Sequence, residues 1–219
     1  MLEQIHATLD AIGYPEKIED WKTAPAVLAD GKLTILGHPV MEDWEAPYME
    51  MLAGIATRNG GVVLEVGFGL GLSATRIQSY PIERHLIIEG NADMFKRLQA
   101  FAGNAKRPVE PLFGLWQDVA PTLPAESLDG LLFDAYPLTA DELRNQLYFF
   151  EHAHRLLKRG GIFTYYSEEA SDFSPHHLQL LHDAGFTDIQ KQVCPVNPPA
   201  DCLYWKEKSM LAPIVIKTA

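Results

Sequence analysis

Three acids stand where an apolar run gives way to a turn: Glu65 within Val62–Ser73, Glu89 after Leu86-Ile87-Ile88, and Asp134 after Leu128–Phe133. The first of these stretches has the strongest chemical character. Apolar residues flank Glu65, and Gly67, Gly69 and Gly71 then alternate with Phe68, Leu70 and Leu72. This reads as a buried parallel strand feeding a tight turn and a helix N-terminus. Glycines let the backbone come close to a ligand at positive φ, and the helix start offers unpaired N–H groups and the positive end of its dipole. The spacing is E-x-G-x-G-x-G rather than G-x-G-x-x-G, with the acid inside the strand end. A negative Glu65 there suits a ligand carrying positive charge better than a pyrophosphate.

S-adenosylmethionine, with a sulfonium and an amino group, meets that description. Glu89 lies roughly 20 residues past the glycine turn, where a dinucleotide-type fold puts the carboxylate that binds ribose hydroxyls. In an open parallel sheet the ligand crevice lies beyond the carboxyl ends of the strands, so Asp134 faces the same mouth as Gly67 and Glu89. Capping of the next helix does not explain Asp134, because that helix is expected only from Asp141.

These residues need strands and helices to hold them, and the spacing supplies both. Helices are expected over residues 72–79, Asp93–Phe101, Asp141–Leu157 (closing on Lys158-Arg159-Gly160-Gly161) and Pro175–Ala184, each with apolar periodicity or terminal signals. Strands are expected at Leu33–Leu36, Leu86–Glu89, Val109–Leu115, Ile162–Tyr166, Thr187–Val193 and Leu211–Lys217. Residues 1–30 read as a short helix (Leu2, Ile5, Leu9, Ile12) and an irregular cover containing Trp21. Val40–Met49 interleaves Glu42, Asp43 and Glu45 with Met41, Trp44, Tyr48 and Met49 and leads into a helix. Acids at a helix start complement its dipole, and the same pattern fits a wall over a ligand.

With 219 residues and 47% hydrophobic content, the chain is expected to form one domain over residues 1–219, of which 1–40 is the cover segment. No run approaches the ~18 apolar residues of a membrane helix, and the start lacks signal-peptide character, so a cytoplasmic location is expected. The net charge of −11 disfavours nucleic acid and anionic membrane surfaces and favours cationic substrates. Cys194 and Cys202 read as free thiols, His176, His177 and His182 as a solvated helix face, and no metal is expected.

The segments VMEDWEAPYM, VLEVGFGLGLSATRIQ, LIIEGN, LWQDVAPTLP, FDAYPL, LLKRGG and PPADC resemble the guanidinoacetate N-methyltransferase family and its arginine-methylating relatives, over about residues 33–217. The resemblance implies an α/β, Rossmann-like class I methyltransferase: a seven-stranded, mostly parallel sheet with helices on both faces, using S-adenosylmethionine. It assigns Met41, Met49, Gly67 to Leu72, Glu89 with Gly90 and Asn91, Trp116 and Gln117 to the cofactor, and more loosely Trp21 as a cover. Glu45 and Asp134 go to the guanidino group, with Asp134 as the base beside the cofactor's methyl and Tyr136 beside the substrate.

A guanidinium has a pKa above ~12 and delocalised lone pairs, so its methylation needs acids that hold the planar fork and take a proton as the bond forms. One departure bears on substrate. Where the guanidinoacetate enzymes carry a neutral stretch for the substrate carboxylate, this chain has Ser167-Glu168-Glu169-Ala170-Ser171. Two acids there suit the α-amino group of free L-arginine better than a bare carboxylate. The alternatives are guanidinoacetate itself, an arginine within a protein, and a non-catalytic nucleotide-binding relative. The partner expected is thus a small guanidino compound, with a homodimer left open.

Overall fold

The computed structural model describes residues 12–15, 17–139, 142 and 149–218. Its centre is the apolar run Gly61–Val66 (β4), buried from Val62 onward. A run with no polar face must be covered on both sides, and this one takes parallel neighbours, Ile82–Glu89 (β5) and Leu128–Phe133 (β7). Val109–Phe113 (β6) pairs beyond β5, and Leu157–Tyr165 (β8) beyond β7. Ser209–Ile216 (β10) runs antiparallel between β8 and Asp188–Pro195 (β9), completing a seven-stranded sheet of order β6-β5-β4-β7-β8-β10-β9. The order reverses between β4 and β7, and their carboxyl ends open on one crevice.

Successive side chains of a strand point to opposite faces. Val63 and Leu132 therefore join a core with Tyr48, Leu52 and Ile214, while Leu64 and Leu131 join one with Phe149, Phe150 and Phe163 on the other face. The helices are Ile18–Thr23 (α1), Ala46–Ala56 (α2), Leu72–Ile77 (α3), Ala92–Gly103 (α4), Trp116–Val119 (α5), Phe150–Leu156 (α6) and Pro175–Asp183 (α7). Helix α2 sits so close on β7 that a Cβ at Gly130 would stand 1.8 Å from the Ala56 carbonyl. No described helix is long and apolar enough to cross a membrane.

The expected irregular cover is partly a three-stranded antiparallel meander, Ala26–Ala29 (β1), Lys32–Ile35 (β2) and His38–Glu42 (β3). Its turns are Asp30-Gly31 and Leu36-Gly37, all four at positive φ as two-residue hairpins require. Leu2, Ile5 and Leu9 lie outside the described residues. So does most of the segment 141–148 of the expected long helix; its described end, α6, stops at Leu156. The LLKRGG stretch is not a helix end: Leu157 is fully buried against Leu128 and opens β8, and Gly160, at φ +80, donates to Lys217 O at 2.7 Å. Burial of an apolar residue in the sheet outweighs the terminal cations and glycines that suggested a helix stop.

Candidate active site

The crevice at the strand ends is a cavity of about 1280 Å³ including its open mouth. Its floor is the glycine turn. Gly67, at φ +92, has no room for a side chain, since a Cβ would stand 2.1 Å from the Asp134 carbonyl. The Asp134 N–H donates to Val66 O at 2.9 Å, so β4 and β7 are locked together where the cavity begins. Met41 covers the turn, its Sδ accepting from Leu70 N at 3.3 Å and filling the space above Gly69.

Glu89 closes β5 on the opposite wall. Its Oε2 accepts from Phe68 N at 3.0 Å and its Oε1 from Asn91 N at 2.7 Å, so one carboxylate braces two loops. Burial raises its pKa and these amide donors pull it back. Asn91 is spent on structure: it caps α4 and donates to Trp21 O and Ala24 O, both at 2.8 Å. That contact pulls the N-terminal segment over the mouth, where Trp21 stacks on Tyr136 with centroids 5.3 Å apart.

Two acids meet the cavity from different elements. Glu45 ends the short 3-10 turn Asp43–Glu45, in which Glu42 and Glu45 cap each other reciprocally, and is 2% exposed. The Glu42 N–H donates to its Oε1 at 2.7 Å and the Tyr204 hydroxyl donates to the same atom at 2.6 Å. Burial first, then the charge of Asp134, pushes Glu45 up to about 8. Asp134 is pushed up to about 7 by burial and by Glu65. A pair of acids with pKa values near neutrality can take a cation and accept a proton at physiological pH.

A family model described as guanidinoacetate N-methyltransferase matches residues 15–218. The chain belongs to the guanidinoacetate N-methyltransferase family. It is 31% identical over 148 residues to protein arginine N-methyltransferase 2 of Yarrowia lipolytica, covering 64% of this chain and 30% of that protein. The Saccharomyces cerevisiae protein of the same name is 27% identical over 143 residues, 62% of this chain and 34% of its own. The chain thus spans about a third of the length of these curated relatives.

In fold it is similar to a spermidine synthase of Thermotoga maritima, with TM-score 0.61 and 14% identity over 88% of this chain and 72% of that one. It also matches a Burkholderia thailandensis 1,6-didemethyltoxoflavin-N1-methyltransferase with bound S-adenosylhomocysteine, with TM-score 0.58 and 18% identity over 81% and 80%. Family and fold make this chain an S-adenosylmethionine-dependent methyltransferase.

The walls suit that cofactor. The Gln117 Oε1 is buried with no hydrogen-bond partner among the described residues, an open acceptor for an amino group, while its Nε2 donates to Glu142 at 2.7 Å. Beside it Trp116 is wedged against Phe133 and Phe149. Trp21, Met41, Gly67, Gly69, Glu89, Gly90, Trp116 and Gln117 all line the cavity, as do Glu45, Asp134, Tyr136 and Glu168.

Other residues expected at the site stand behind it. Phe68, Leu70, Gly71 and Leu72 shape the turn from outside the cavity wall; Gly71, at φ +75, precedes α3. Met49 is fully buried in the core. Glu65 does not face the ligand space: its carboxylate accepts from Ser73 Oγ and lies 2.9 Å from His85 Nε2, both fully buried. Glu169 is turned away too. It accepts from Ser174 N at 3.1 Å, lies 3.7 Å from His177 Nδ1, and neither it nor Ala170 reaches the lining. His177 stands 2.5 Å from the Tyr165 hydroxyl, so it is buried rather than part of a solvated face. Tyr166, Tyr204 and Trp205 line the cavity without having been expected. Tyr166 follows a strand end, which is a readable signal; Tyr204 and Trp205 follow PPADC, whose role the spacing did not reveal.

Proposed function

We propose that this methyltransferase acts on the guanidino group of a small molecule, with free L-arginine in first place. The observation that carries the reading is the meeting of Glu45 and Asp134 in one cavity above the glycine turn. Bound S-adenosylmethionine would supply an electrophilic methyl on a sulfonium that leaves as a neutral thioether. Glu89 would take the ribose hydroxyls, Gln117 Oε1 the adenine amino group, and the amides of the Gly67–Gly71 turn would lie against the methionyl portion.

In the empty site burial favours protonated acids, and a guanidinium entering between them favours the ionised forms. Glu45 and Asp134 would then hold the fork and set one nitrogen in line with the methyl, an alignment worth up to ~7–11 kcal/mol in well-oriented cases. As the nitrogen lone pair forms the new bond, its N–H proton passes to Asp134. With a pKa of about 7 that carboxylate is matched to the task.

Glu168 in the cavity wall supports an acceptor bearing an α-ammonium group. The test is mass spectrometry of methyl transfer to L-arginine, guanidinoacetate and an arginine-containing peptide. L-arginine is expected to exceed guanidinoacetate in kcat/KM; Glu168→Gln is expected to shrink that preference, and Glu169→Gln to leave it. Equal rates for the two small substrates would return guanidinoacetate to first place. A protein arginine is the second reading, favoured by the similarity to protein arginine N-methyltransferase 2. Transfer to the peptide alone would establish it.

A further inference from the structure

The segment after PPADC enters the site from the far end of the chain. Tyr204 donates to Glu45 Oε1 at 2.6 Å across 159 positions of sequence. Its ring lies 6.0 Å from that of Trp44, and Trp205 beside it is 3% exposed and lines the cavity. The segment is pinned on its other side. Asp201 takes Lys32 Nζ of β2 at 3.0 Å, and the same ammonium lies 3.3 Å from Glu42 Oε1, the acid that caps the turn ending in Glu45.

Both hydrogen bonds to Glu45 fall on Oε1. Among the described residues none falls on Oε2, and Glu45 lines the cavity. A carboxylate with one oxygen held by two donors keeps a single orientation and offers the other oxygen to a ligand.

Building on the guanidino reading above, we propose that Tyr204 is a positioning residue for methyl transfer: it fixes Glu45 by Oε1 so that Oε2 is the acceptor for the guanidinium opposite Asp134. The phenol is suited to this. Burial and the Glu45 charge hold it well above its ordinary pKa, so it stays a donor. Its hydrogen bond also draws Glu45 down against the burial that raises it, favouring the ionised form a cation needs. The other groups around Glu45 are Glu42 from β3, Tyr48 from α2, Asp134 after β7, Tyr166 after β8 and Cys202. None of the five is a cation, so the phenol and the Glu42 amide are the donors that can offset its charge.

The experiment is a double-mutant cycle of Tyr204→Phe and Glu45→Gln in the full chain, read as the Kd of L-arginine by calorimetry in the S-adenosylhomocysteine complex and as kcat/KM against pH. Tyr204→Phe is expected to weaken L-arginine about 10- to 100-fold, the loss for a hydrogen bond to a charged group, with S-adenosylhomocysteine affinity held within about twofold. The acid limb of kcat/KM is expected to move to higher pH, and the loss to vanish in the Glu45→Gln background. A loss of equal size in both backgrounds, or an unmoved limb, overturns the positioning role while leaving guanidino methylation intact. A wild type that binds and methylates no guanidino compound overturns the functional reading and this inference with it. If Tyr204→Phe melts below the assay temperature, 3-fluorotyrosine at 204 keeps the ring and strengthens the donor. It is then expected to move the limb to lower pH, and an unmoved limb refutes the proposal.

Discussion

Replacing Glu45 by Gln should stabilise the ligand-free protein at alkaline pH while it destroys function. Glu45 is 2% exposed and its pKa is raised from 4.5 to about 8, by burial before anything else. An acid whose folded pKa lies above its unfolded value contributes its full stability below about pH 4.5. That contribution is lost as the pH rises to about 8, because the unfolded chain ionises freely and the folded one resists. At about 1.4 kcal/mol per tenfold in proton affinity, the rise from 4.5 to about 8 sets an upper bound of ~5 kcal/mol on the cost of the buried charge. Relaxation and water entry screen buried charges, so about 1–3 kcal/mol is the realistic share. For a chain of this length 1 kcal/mol moves Tm by about 2–4 °C. The side-chain oxygen of Gln can still accept from Tyr204 and from the Glu42 amide, so the packing survives. Differential scanning calorimetry without ligand should show Glu45→Gln melting about 5 °C above wild type at pH 8.5, with most of the gain gone at pH 5. A shift of equal size at both pH values, or a loss at pH 8.5, would refute the argument that Glu45 is held protonated by burial.

Glu89→Ala should weaken S-adenosylhomocysteine by about 1–3 kcal/mol in calorimetry, because it removes both a ribose partner and the brace between Phe68 N and Asn91 N; unchanged affinity would sink the ribose assignment. Asp134→Asn should lower turnover about 10²–10⁴-fold while S-adenosylhomocysteine still binds, since the amide keeps the shape and cannot take the proton. Turnover near wild type would show that the base lies elsewhere.

Much of the site was legible from local pattern. Uninterrupted apolar runs must be parallel strands covered on both faces, and parallel strands in one sheet end on one side. That alone brought Gly67, Glu89 and Asp134 to one mouth, and all three line the cavity. Glycine spacing announced the turn because only backbone without a Cβ fits against Asp134 there. The cover was less legible: Asp30-Gly31 and Leu36-Gly37 mark hairpin turns, yet strands β1 to β3 are too short to announce their pairing.

What the tertiary structure decided was which of two neighbouring or equivalent residues faces the ligand. Glu65 and Glu89 both follow apolar runs. Glu65 lies one position before the strand end, and the alternation of strand side chains turns it to Ser73 and His85, whereas Glu89 ends its strand at the cavity. Glu168 and Glu169 are adjacent; docking of α7, through Ser174 N and His177, takes Glu169 and leaves Glu168 at the wall. Leu157 begins a strand because the sheet has a buried place for it. Tyr204 reaches Glu45 over 159 positions, and no local period encodes such a contact. Periodicity reports the face of an element, and so it identified the strands and the edge on which their acids gather. The orientation of each carboxylate depends on partners brought in from other elements, which exist as neighbours only once the chain has folded.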